Sequence, residues 1–130
     1  MTRRSINVDG LGHGATAIPT ASQVGPLLIS GGISGIDRTS GKVPDDISTE
    51  VRNVFDNVRA VVEAAGGTLD DIAKLTFLVP DRALRSEIDP VWTETFPDPT
   101  SRPARHASVY DHIPNGLHLQ CELIAYIGGN

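Results

Sequence analysis

The residues best suited to chemistry lie near the C-terminal end, in SRPARHASVYDHIPNGLHLQCELIAYI, residues 101–127. Arg105 heads one extended run, and Gln120 and Glu122 share one face of another. A guanidinium presents a fixed fork of donors that fits a carboxylate in two-point contact. Gln120 can orient a water by hydrogen bonding but cannot take its proton near neutral pH; a carboxylate such as Glu122 can. Two readings of Arg105 stand: an anion site, or a structural ion pair with Glu122 or another acid. His106, His112 and His118 show no close-spaced metal-ligand motif. Ser108, His106 and Asp111 do not place a base on a nucleophile, so they make no triad.

The elements that must position these groups follow from the pattern. Pro103 fixes its own φ and pushes Arg102 toward extended geometry. Arg105, Ala107 and Val109 then share one face of a strand, with His106, Ser108 and Tyr110 on the other. Asp111, Pro114, Asn115 and Gly116 are turn residues, so this run and the next are expected to be joined by a turn. Leu119, Cys121, Leu123, Ala125 and Ile127 form the apolar face of the second run. His118, Gln120 and Glu122 lie opposite, continued by Ile124 and Tyr126.

Upstream, residues 1–8 suit a short strand within an N-terminal stretch, 1–14, that is otherwise loop. Ala15 to Gly25 shows a weak pattern, and Leu27 to Ser30 reads as a buried strand. Gly31 and Gly32 remove side chains where a backbone can approach a ligand. The following GGISGIDRTSGKV is not a phosphate loop. Its spacing from Gly35 to Lys42 is one residue too long, and Val43 replaces the hydroxyl residue.

Asp45 and Asp46 suit a helix start. Ile47, Val51, Val54, Phe55, Val58, Val61, Val62 and Ala65 recur at helical spacing, with Glu50, Arg52, Asn53, Asp56 and Arg59 on the other side. Gly66-Gly67 ends that helix. Lys74 to Val79 reads as a strand stopped by Pro80. Asp81 suits the start of a second helix, which Pro90 splits or kinks. The expected order is β-β-α-β-α-β-β: one mixed α+β sheet with two helices on one face. Thr76, Ala107, Val109, Ile124 and Tyr126 are expected on the uncovered face, buried between subunits.

The chain of 130 residues suits a single domain. Its net charge of −5 argues against a general nucleic-acid surface. The lone Cys121 permits no intrachain disulfide and suits a reducing compartment. No apolar run approaches a membrane span. The expectation is a cytoplasmic protein.

SRPARHASV, the Pro-Asn-Gly turn and LQCELIAY together resemble the C-terminal signature of the RidA/YjgF family, also labelled L-PSP endoribonuclease or translation-initiation inhibitor. LLISGGISGID, the helix STEVRNVFDNVRAVVEAAGGTLDDIAKLTFLV and VWTETFP extend the resemblance over roughly residues 15–127. It implies a chorismate-mutase-like fold and a homotrimer whose sheets pack into a barrel, with sites at the subunit clefts. It also implies enamine or imine deaminase activity on a small carboxylated substrate, with neither metal nor organic cofactor. Arg105 matches the arginine that grips the substrate carboxylate. Ser30 and Gly31 match the strand end bordering the pocket. Ala107 falls where the family often has cysteine and retains a backbone contact. Glu122 matches the second acid of the EIEAIA ending.

Two departures matter. Gln120 falls where deaminase-competent members carry the water-activating glutamate. AIPTAS, residues 17–22, replaces GPYSQ, so the aromatic residue that lids the pocket is missing. Three functions follow. One is a divergent imine or enamine deaminase, or a related hydrolase of a small carboxylated amine, using Arg105, Gln120 and Glu122. Another is a non-catalytic trimer binding a small carboxylate such as a 2-oxo acid. The weakest is the ribonuclease or translation inhibitor of the family label.

Overall fold

The computed structural model describes residues 2–128. In chain order the elements are β1 (Arg3–Ile6), β2 (Ala21–Val24), β3 (Leu27–Ser30), β4 (Ile33–Ser34), α1 (Ile47–Ala64), β5 (Ile72–Val79), α2 (Arg85–Thr95), β6 (Ala104–Val109) and β7 (Gln120–Tyr126). The strand expected over residues 1–8 thus starts at Arg3, and residue 1 lies outside the described residues. β2 and the short β4 arise in stretches that the sequence pattern left as loop or turn.

The strands form one mixed sheet in the order β1-β2-β3-β7-β5-β6, with β4 continuing against β7 beyond β3. The α+β character and the two helices agree with the sequence; the barrel does not. β1 and β6 stand at the two ends of the strand order, with four strands between them, and do not pair with each other. The sheet is therefore open, not closed into a barrel.

β6 and β7 are not neighbours either. β5 lies between them, parallel to β6 and antiparallel to β7. A parallel neighbour needs a long crossover rather than a tight turn, and α2 supplies it. His106 and His118 consequently do not face each other on adjacent strands.

α1 begins at Asp46, whose carboxylate accepts the Thr49 N–H at 3.0 Å. Its valines and Phe55 are buried against the sheet. The expected polar face needs correction: Glu50 and Asn57 are also buried. Glu50, Asn53 and Asn57 are three and four residues apart, so they form one row along the helix. Asn53 Nδ2 donates to Gly35 O at 3.1 Å, and Asn57 Nδ2 donates to Ser34 O at 2.8 Å and Ile36 O at 3.0 Å. The row stitches the chain after β4 onto the helix.

α2 runs unbroken through Pro90, with the buried Ile88 and Val91 on either side of it holding the helix to the core. Asp81 instead caps the single 3-10 turn ahead of α2, accepting the Ala83 N–H at 2.8 Å.

The helix side of the sheet carries Leu28, Leu75, Phe77, Val79, Cys121, Leu123 and Ala125, all fully buried. Ala107 and Val109 pair with Phe77 and Val79, which puts them on this side rather than on the uncovered one. The uncovered face keeps Thr76, Ile124 and Tyr126 as expected. Ile29 sits opposite Ile124 and Leu27 opposite Tyr126, making a contiguous apolar patch. Ile29 remains 47% exposed and Ile124 39%. Among the described residues no helix is long and apolar enough to cross a membrane.

Candidate functional site

Gln120 opens β7 on the uncovered face, paired with Ser34 on one side and Leu78 on the other. Its amide lies flat against Gly32: a Cβ there would come within 2.5 Å of Gln120 Oε1. Gly32 thus leaves room for the Gln120 amide in this position, which a Cβ there would displace. Gln120 lines a hollow of about 390 Å³ formed where the loop at 10–18, the β4 strand and the 114–117 turn converge. Ser34, Thr16, His13 and Asn115 contribute its other polar side chains.

The approach to Gln120 is fixed by Glu50. This fully buried carboxylate accepts the N–H of His118 at 2.6 Å and of Leu119 at 3.3 Å. Its other oxygen lies 2.8 Å from His118 Nδ1. The turn before it uses left-handed backbone at Asn115 (φ 64°) and Gly116 (φ 76°), residue types that tolerate that region.

Ser30 is buried, and its hydroxyl is already engaged. It accepts the Leu123 N–H at 2.9 Å and donates to Gly31 O at 2.8 Å, tying β3 to β7. Gly31 donates its N–H to Thr20 O at 3.0 Å. Glu122 lies on the same face as Gln120, opposite Thr76 and exposed to solvent. Strand rise separates the two by roughly 6.5–7 Å.

Arg105 lies elsewhere. It pairs with Leu75 and so projects on the helix side, with Ala107 half-buried beside it. Its guanidinium carbon sits 5.1 Å from the Trp92 ring centre and 5.7 Å from that of Phe77. Its Nη2 forms an ion pair with Asp89 Oδ1 at 2.5 Å. The acid partner is therefore a residue of α2, not Glu122, which is separated from Arg105 by β5. The Arg105 side chain is 20% exposed and that of Asp89 60%. Within one copy, Arg105 and Ala107 are set apart from Gln120 and Glu122. Cys121 beside them is inert core, its thiol pKa pushed up by burial.

Sequence reasoning missed three groups near the expected site: Asp89, Glu50 and His13. Asp89, next to Pro90 in the second helical stretch, carries no signal that pairs it with Arg105. Glu50 sat on what looked like a solvated helix side. His13, within the glycine-rich loop GLGHG, carried no periodic signal at all.

Residues 16–127 match the family described as Endoribonuclease L-PSP. The chain belongs to this family, also known as RidA/YjgF. A RutC family protein of Pyrococcus horikoshii is 34% identical over 107 residues, covering 82% of this chain and 83% of that one. The 2-iminobutanoate/2-iminopropanoate deaminase of Escherichia coli K12 is 30% identical over 103 residues, covering 78% and 80% respectively. Among solved structures, RidA from an Antarctic Psychrobacter superposes with a TM-score of 0.86 at 27% identity, covering 95% of this chain and 99% of that one. The YjgF gene product of E. coli gives 0.84 at 26% identity, covering 95% and 98%.

Proposed function

We propose that this family domain is an imine or enamine deaminase that hydrolyses a small carboxylated substrate, such as a 2-imino acid, to a 2-oxo acid and ammonia. Gln120 carries the reading. Its amide enters a hollow beside the Ser30–Gly31–Gly32 strand end, the pocket border implied by the resemblance, in a chain 30% identical to a deaminase of 2-iminobutanoate and 2-iminopropanoate. Gln120 holds the attacking water. Arg105 grips the substrate carboxylate, which takes the place of Asp89 on the guanidinium, and the Ala107 backbone contacts the ligand. Glu122 faces outward from the Gln120 side of the sheet and adds negative charge near the departing amine.

Because Arg105 and Gln120 lie on different sides of the sheet, the complete site forms between copies of the chain. The apolar patch around Ile29 and Ile124 supports association of three copies through their open faces. Light scattering that returns the mass of one chain would remove this part of the proposal. The activity test is ammonia release from 2-iminobutanoate, with loss in Arg105→Ala. Release no faster than in buffer would end the deaminase reading.

One observation favours a second reading, a trimer that binds a 2-oxo acid without turning anything over: the residue against Gly32 is an amide, which cannot take a proton from water near neutral pH. A 2-oxobutanoate-dependent thermal shift without ammonia release would support it. A large gain of activity in Gln120→Glu would then mark the parent as a binder on a catalytic scaffold. The net charge of −5 gives no support to a nucleic-acid substrate.

A further inference from the structure

The hollow around Gln120 contains a proton-handling group after all. His13 lines it, together with Gln120, Gly32 and Ser34. His13 Nε2 exposes less than 1 Å² and has no hydrogen-bond partner among the described residues. It lies 3.8 Å from where a Cβ on Gly31 would stand, an ordinary contact distance, so this end of the ring rests beside the Gly31 backbone. A buried ring nitrogen without a partner is costly and uncommon in native proteins. Among the described residues, no other side chain lining this hollow is titratable. Asp9, a few residues earlier, lines a separate depression with Arg38 and Asp37.

Resting on the deaminase reading above, we propose that His13 is the catalytic base of the site and supplies the proton transfer that Gln120 cannot perform. Gln120 orients the water and His13 takes one of its protons as the water oxygen bonds to the imine carbon. The C=N π pair moves onto nitrogen, which receives the proton back from the imidazolium. The carbinolamine then collapses: the C–N bond breaks, the C=O bond forms, and the hydroxyl proton leaves on nitrogen as ammonia. Water and imine become ketone and ammonia, and His13 ends as it began. The same ring closes over Gly31, where the sequence lacks an aromatic lid.

The test compares the parent with His13→Ala and His13→Gln on 2-iminobutanoate. The expected result is a kcat lower by about 100-fold with KM changed by less than about threefold. The pH profile of the rate should differ between the parent and both variants. Free imidazole added to His13→Ala should restore part of the rate, which a merely structural role would not allow. A folded variant that keeps the parental kcat and pH profile overturns the role of His13 and leaves the deaminase reading intact. A parent that releases no ammonia overturns the deaminase reading and this role together.

Discussion

Arg105 and Gln120 rise from opposite faces of the sheet. Arg105 is in register with Leu75 on β5, and Gln120 with Leu78 on the same strand, three residues further on. An odd separation along a strand inverts the face. No rotamer of either side chain can bring both onto one small ligand within a single copy. If they act together, they do so across an interface. Arg105→Ala and Gln120→Ala should each be inactive alone. Refolded together in equal amounts, they should regain activity in about a quarter of the clefts, those drawing an intact residue from each copy. Mixed material as inactive as the separate variants would place both residues in one copy's site, or neither in any.

Asp89 occupies the guanidinium to which the proposed function assigns the substrate carboxylate. Part of the ligand's binding energy goes into displacing this internal partner, and the ejected carboxylate repels the incoming one. The pair is largely exposed on the Asp89 side, so its strength is that of a surface ion pair, ~0.5–1 kcal/mol. Asp89→Asn keeps the shape and removes the charge. It should tighten 2-oxobutanoate binding by roughly two- to fivefold, as read by calorimetry. Weaker binding would mean that Asp89 positions Arg105 rather than competing for it.

Much of the fold was legible because its signals are local. The valine stripe of α1, Asp46 ahead of it and the alternation of β7 are each set by a few neighbouring residues. The pairing of strands was not legible. β6 reads as the first arm of a hairpin, yet α2 carries it across to the far side of β5, and that choice depends on packing Trp92 of α2 against the buried Phe77. The face of Ala107 and Val109 was misassigned for the same reason. The resemblance singles out Gln120, Ser30 and Gly31, of which Gln120 lines the hollow. Glu50, Asp89 and His13 owe their importance to contacts with residues distant in sequence, and no spacing rule announces those.

Glu50 holds the start of β7, so its loss should be felt at Gln120. Replacing it with alanine leaves the His118 and Leu119 N–H groups without their acceptor in the interior. Each such group costs about 1–3 kcal/mol, so Glu50→Ala should destabilise the protein by roughly 3 kcal/mol in urea unfolding. Glu50→Gln retains an acceptor for these donors and should cost less. If the two variants unfold alike, the carboxylate is not what anchors the strand.

Gly35 tests the other side of the same junction. A Cβ at this position would come within 2.2 Å of the Glu50 carbonyl oxygen and 2.6 Å of its Cγ. The obstacle is helix backbone, so relief requires α1 and the chain after β4 to move apart, against the bonds from Asn53 and Asn57. Gly35→Ala should lower stability by ~2–3 kcal/mol, in the range of overpacked cores. Gly41→Ala meets no atom within 4 Å but sits at φ 75°. It should cost less, about 1 kcal/mol, through backbone strain alone. A melting curve for Gly35→Ala that overlays the parent's would show that the junction yields freely.

The cap of α1 should be visible in the acid limb of stability. Hydrogen bonds from the Thr49 backbone N–H and then from the Thr49 hydroxyl hold the Asp46 carboxyl below its usual pKa. A lowered folded-state value means that the unfolded chain binds the proton more readily. The contribution of Asp46 is therefore fully present above the ordinary aspartate value and disappears as pH falls through the lowered one. Asp46→Ala should lower the melting temperature at neutral pH, and the gap to the parent should close on acidification. Asp46→Asn, which retains a capping oxygen without the titration, should lie between them at pH 7 and show a shallower acid limb than the parent. A gap that stays constant from pH 7 to strong acid would mean that Asp46 acts through shape alone.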